Sequence, residues 1–212
     1  MTNADPKTKA DLKKTIAAYT APKGSFEIVD VPPLRYLMVD GHGDPNVASD
    51  YRDAVAAIFG VAYTLKFLSK RELGRDYVVM PLEGLWWSDD MATFTTERDK
   101  SRWSWTMMSL VPAWIHDDHL ERARRAAAEK AASAAVGLLR WEELSEGLCV
   151  QTLHLGSYDD EAPVLADMHE RFIPGEGLRM RGRHHEIYLG DPRRTAPEKL
   201  RTILRQPVER VG

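Results

Sequence analysis

The 212 residues carry 29 Lys and Arg against 32 Asp and Glu, a net charge of −3, with 43% hydrophobic and 8% aromatic residues. That composition belongs to an ordinary globular chain, long enough for one generous domain or two fused halves, and excludes a disordered one. The charge balance offers no basic field for nucleic acid, so no direct nucleic-acid binding is expected. The single cysteine, Cys149, excludes an internal disulfide and a multi-cysteine zinc site and reads as core.

Residues 1–24 form a polar extension in which Leu12 to Tyr19 suggests a loose helix or a surface segment. With no apolar leader there and no long apolar run elsewhere, the expected protein is cytoplasmic and makes no membrane contact. Phe26–Val31 and Leu34–Val39 are strand-like pieces split by Pro32-Pro33, and Gly41-His42-Gly43-Asp44-Pro45 supplies turn chemistry. Apolar residues at helical spacing predict a long helix from Asn46 to Ser69. Tyr77 to Trp87 then reads as a strand, and Pro81 marks it as an edge or a bulge because proline cannot donate to a ladder. Asp89 to Arg102 is a charged connector, Trp103 to Val111 a strand, and Asp117 opens an alanine-rich helix running to about Ser133.

Leu148–Leu155 is the next strand, Ala162–Phe172 a helix, His184–Leu189 a strand stopped by Gly190-Asp191-Pro192, and Leu200–Leu204 a last strand. The order strand, glycine turn, helix, glutamate-bearing strand and final strand thus occurs twice, at about 25–114 and 141–212, around a helical connector at 115–140. The expected fold is α+β. Two pseudo-two-fold β-α-β-β repeats would form an antiparallel sheet with helices on one face and a ligand cleft between them.

Side chains of a strand alternate faces, so His184, Glu186 and Tyr188 share one face while His185, Ile187 and Leu189 share the other. The first set gathers an imidazole, a carboxylate and a phenol, groups able to move protons or hold a ligand. Glu186 is the candidate base, Tyr188 or His184 the candidate donor or water-orienting group, and Glu83 the candidate counterpart from the first repeat. Trp86, Trp87, Trp103 and Trp105, with Tyr36 and Met107, are candidate walls. Trp86 and Trp87 face opposite ways, and Trp87 is favoured because it shares a face with Glu83. Neither a metal nor another cofactor is expected: His184 and His185 cannot bind one ion from opposite faces, no H-E-x-x-H helix is present, and Gly41-His42-Gly43 lacks a phosphate-loop lysine. Arg179, Arg181 and Arg183 alternate onto one face and read as a solvated edge.

Three blocks, Met38 to Pro45, Tyr77 to Trp87 and His184 to Pro192 running on through Leu204 to Val208, resemble the stand-alone GyrI-like, small-molecule-binding proteins over about residues 25–209. The resemblance implies the same pair of repeats with a cleft between them. It also implies ligands that are flat, hydrophobic or cationic aromatic molecules, since relatives serve as drug-sensing domains in which a cleft glutamate meets cationic drugs. Some stand-alone relatives hydrolyse cyclopropane-bearing DNA alkylators, which implies a hydrolase that detoxifies electrophiles and confers drug resistance. No helix-turn-helix segment is read here, so the stand-alone branch is the nearer likeness. The alternatives are a non-catalytic multidrug-binding or sequestering module, and a gyrase-binding inhibitor with a protein partner.

Overall fold

The computed structural model describes residues 9–89, 99–130 and 134–212. Most of the charged connector, and the end of the alanine-rich helix, lie outside the described residues. Nine strands form one antiparallel sheet: β1 (Glu27–Val31), β2 (Leu34–His42), β3 (Leu82–Trp87), β4 (Ser104–Leu110), β5 (Arg140–Leu144), β6 (Gly147–Leu155), β7 (Leu178–Met180), β8 (His184–Tyr188) and β9 (Arg201–Arg210). Their order is β1-β6-β9-β8-β3-β4-β2-β5, with β7 continuing beside β9.

Read from the centre, β8-β9-β6 mirrors β3-β4-β2 about a pseudo-two-fold axis between β8 and β3. The outermost strands are exchanged. β1 leads into β2 yet pairs with β6, and β5 leads into β6 yet pairs with β2. Only Pro32 and Pro33 join β1 to β2, a reach of about 10 Å. The sheet therefore curls until its far ends approach, although it does not close.

All three helical layers lie on one face. In α1 (Ser49–Glu72), Ala54, Ala57, Ile58, Val61, Leu65 and Leu68 form the buried stripe that covers Leu37, Val39, Trp105 and Met107. α2 (Asp117–Lys130) packs on α1 through Leu120, Ala123 and Ala127. In the second half, α3 (Ala162–Ala166) runs through a π-helical turn (Asp167–Phe172) into α4 (Ile173–Gly175), burying Met168 and Ile173 on Val150, Leu204 and Val208. The other face of the sheet wraps a core of Tyr36, Met38, Leu85, Met108, Ile187 and Ile203.

Two expectations change here. β3 is a central strand, not an edge, because Pro81 precedes it and donates to no ladder. The short polar edge strands β5 and β7 carry too little alternation to be read from sequence. Of the two readings of the extension, a loose helix or a surface segment, the structure has two 3₁₀ turns, Leu12–Lys14 and Ala17–Tyr19, and not a surface segment: Ala18 and Tyr19 are buried under the curled face, and the carbonyls of Thr20 and Pro22 accept hydrogen bonds from Gln151 and Leu153. Cys149 is buried beside Ala18 and Val31 as expected of a core residue, and burial pushes its thiol up to about 12. Among the described residues no helix is long and apolar enough to cross a membrane.

Close packing fixes the tryptophan behind the cleft. A Cβ at Gly41 would fall inside the Trp105 ring, which lies on that glycine and donates from Nε1 to the Gly43 carbonyl at 3.2 Å. Gly41→Ala is expected to lower stability by about 1–3 kcal/mol through overpacking, read as a lower urea midpoint at unchanged m. An unchanged midpoint would mean that the ring moves aside without cost.

Candidate active site

The central ladder decides which residues meet. β3 pairs with β8 so that Gly84 lies opposite Glu186 and Trp86 opposite His184. Matching Gly43 to Gly156, the positive-φ glycines that follow β2 and β6 (φ 97° and 143°), and stepping along the ladders makes Gly84 the counterpart of Glu186. Glu83 corresponds instead to His185. The axis therefore passes between Gly84 and Glu186, and one carboxylate stands there rather than two. Gly84 has to be small: a Cβ would come within 2.6 Å of Met107 Cε and 2.8 Å of Trp86 Nε1.

Glu186 is held by a chain of donors. Trp86 Nε1 donates to the Tyr188 hydroxyl at 2.9 Å, and that hydroxyl donates to Glu186 Oε2 at 2.7 Å. Glu186 Oε1 lies 3.5 Å from His184 Nε2, and the side chains of both residues are 14% exposed. Trp103 meets Trp86 edge-on at 5.8 Å, and Tyr158 meets Tyr188 edge-on at 5.5 Å. Tyr51, from α1, leans on Trp105 at 5.4 Å, and burial followed by the Glu186 charge raises its phenol. The same two influences raise Tyr188. Both phenols stay neutral.

The structure places Glu186, Tyr188, His184 and Trp103 on one face, with Trp105 and Met107 buried behind them, and it is Trp86 rather than the favoured Trp87 that joins them. Glu83, Trp87 and Tyr36, expected in the same cleft, face the opposite side of the sheet; one residue of register decides the face. Trp87 is covered by the Arg183 guanidinium, 3.5 Å from its ring centre. Arg179 pairs with Glu209, and Arg181 Nε donates to the Val208 carbonyl. Glu83 is fully buried in a separate network: it accepts from Tyr19 at 2.5 Å and from His185 Nε2 at 3.0 Å. His185 Nδ1 meets Glu146 at 3.0 Å, and Arg205 reaches Glu146 at 2.9 Å and Gln151 at 3.0 Å.

Residues not foreseen also lie around Glu186: Tyr51, Tyr158, Glu161, His169 and Thr202. Tyr51 was hidden in a helical apolar stripe and Glu161 in a turn, and only tertiary packing brings either to Glu186. The His169 ring, carried on the π-helical turn, meets His184 edge-on at 6.0 Å, and burial lowers it to about 4, so it is a neutral imidazole. Among the described residues, the buried side-chain atoms without a hydrogen-bond partner are Glu161 Oε1, His169 Nε2, both nitrogens of His184, Thr202 Oγ1 and Tyr36 Oη. All but the last surround Glu186. Native interiors rarely leave such atoms unsatisfied, and here they concentrate around one carboxylate. Among the described residues no His, Cys, Asp and Glu cluster is arranged to hold a metal.

Residues 25–209 match the family described as the GyrI-like small molecule binding domain. An uncharacterized conserved protein from Listeria innocua is 39% identical over 95% of this chain and 100% of its own, with a TM-score of 0.86. A second Listeria innocua structure, named a hydrolase, is 38% identical over the same shares with a TM-score of 0.81. The EcmrR C-terminal domain shares the fold at 10% identity and a TM-score of 0.52, over 88% of this chain and 98% of its own. No curated protein sequence matches. With the central pairing of β3 and β8, the single axial glutamate and a match spanning almost its whole length, the chain belongs to the GyrI-like small-molecule-binding domain family.

Proposed function

We propose that the protein is a hydrolase that opens the cyclopropane ring of flat, hydrophobic electrophiles, with Glu186 as the base that activates water. The observation that carries this reading is a fixed carboxylate ringed by unpartnered buried polar atoms and aromatic walls. A strained ring conjugated to a carbonyl needs little from a catalyst: a water aimed at the ring carbon, a base for its proton and a donor for the oxygen that gains charge. Tyr188 commits its proton to Glu186 Oε2, which leaves Oε1 to receive the proton of water. Trp86, Trp103 and Tyr158 provide faces and edges on which a planar ligand stacks while other nucleophiles are excluded. The 38% identical relative named a hydrolase supports the reaction class. In the cell such an enzyme would work in the cytoplasm, intercepting DNA alkylators and so giving drug resistance.

The test is incubation with a cyclopropane-bearing alkylator, following the ring-opened product by mass. The expected product is substrate plus one water, formed well above the buffer rate; a rate equal to buffer overturns the reading. One carboxylate among tryptophan and tyrosine rings also suits a non-catalytic binder of cationic aromatics. Tryptophan quenching by such cations, with no product from any alkylator, would favour that second reading.

A further inference from the structure

Glu161 occupies the N-cap position of α3, where a carboxylate ordinarily accepts backbone N–H groups, stays solvated and gains from the helix dipole. It does none of this. Its side chain makes no cap hydrogen bond, the residue is only 4% exposed, and Oε1 has no partner. The carboxyl lies instead at the end of the cleft marked by Tyr188 and by Thr202, its neighbour across the β8–β9 ladder. His184, two residues before Glu186 on β8, marks the other end. A planar ligand lying along β8 would thus have the base at its middle and Glu161 at one end.

We infer that Glu161 is the general acid of this site, giving its proton to the ligand oxygen that receives the electron pair when the ring opens. The assignment rests on the hydrolase reading and adds the donor which that reading lacks. In the step, water oxygen bonds to the ring carbon and Glu186 takes one water proton. The ring C–C bond breaks, its electron pair moves through the conjugated system to the carbonyl oxygen, and the Glu161 proton joins that oxygen. Substrate and water become one product; Glu186 ends protonated and Glu161 ionised, and return of a proton from one carboxyl to the other resets the pair.

The surroundings hold Glu161 in the acid form. Burial first, then the Glu186 charge, pushes its carboxyl up to about 10; the Thr202 hydroxyl and the Lys100 charge oppose that rise, and Asp159 on its own turn adds to it. The other groups facing it, Tyr158 and Tyr188, are neutral phenols with raised values of their own.

Glu161→Gln keeps the shape and removes the transferable proton. Expected is a kcat lower by about 10²-fold with KM little changed, and loss of the alkaline fall in kcat that the wild type shows near the titration of Glu161. A substrate-free measurement checks the protonation itself. A carboxyl raised on folding contributes stability below its ordinary range and loses it as pH climbs through the folded value. Glu161→Gln should therefore melt above the wild type at about pH 8, and the gap should close towards about pH 4. Wild-type kcat with an unchanged alkaline limb, or melting curves that coincide at every pH, would overturn the acid role alone. A wild type that turns over no alkylator would overturn the hydrolase reading and the acid role together, even with the melting difference intact.

Discussion

Glu186→Gln leaves a folded protein whose ring-opening rate is lower by a factor on the order of 10²–10⁴, the usual contribution of a positioned base. The glutamine is isosteric, and its amide oxygen still accepts from Tyr188, so the chain from Trp86 through Tyr188 stays in place. What disappears is the charge that takes a proton from water. The loss should fall on kcat for a neutral alkylator, whose binding depends on the aromatic walls, and on affinity for a cationic aromatic, which the carboxylate attracts directly. Kinetics of the two proteins, with melting curves as the control for folding, give the answer. Turnover in the variant within a few-fold of wild type would remove Glu186 from the base role.

The second large effect lies on the other face of the same strands. Arg205 is fully buried, and it donates to Glu146, to Gln151 and to the Ala18 carbonyl. Together with His185, which its carboxylate neighbours favour in the protonated form, it faces Glu83 and Glu146. Arg205→Met fills much of the volume but removes one of the two cationic partners of buried Glu146, leaving His185 alone to face Glu83 and Glu146, at a cost of about 3–5 kcal/mol. Urea denaturation should register that loss, and a variant as stable as the wild type would contradict the described network.

The network also sets a pH window. Glu146 is held down to about 2 because the His185 and Arg205 charges outweigh its burial, so its contribution is present above the ordinary carboxyl range and is lost as pH falls towards 2. His185 is raised because its two carboxylate neighbours outweigh the burial that alone would lower it. Its contribution is full below the ordinary imidazole range and is lost as pH rises through the folded value. The network therefore supports the fold best on the mildly acidic side of neutral.

The sequence made the repeat and the cleft strand legible because a period of two and a glycine turn are local signals. Glu186, His184 and Tyr188 could be grouped from β8 alone. Glu83 could not be placed in the same way: nothing within β3 says which of its faces meets β8, and the adjacent glycine, not the glutamate, lies opposite Glu186. Trp86 and Trp87 exchanged roles for the same reason. Glu161 lay beyond local reading, since its partner Glu186 is far along the chain and a turn rich in Asp and Glu ordinarily stays in water. Short edge strands such as β7 depend on β9 for their existence, and their own residues signal little.

The exchange of β1 and β5 has a mechanical meaning. Each half holds an arm of the other, as in a domain-swapped dimer, but the partner is covalently tethered and so present at high effective concentration. Spreading the halves like a clamshell would tear the β1–β6 and β2–β5 ladders as well as the central one. The seam that carries Glu186 is thus a locked joint.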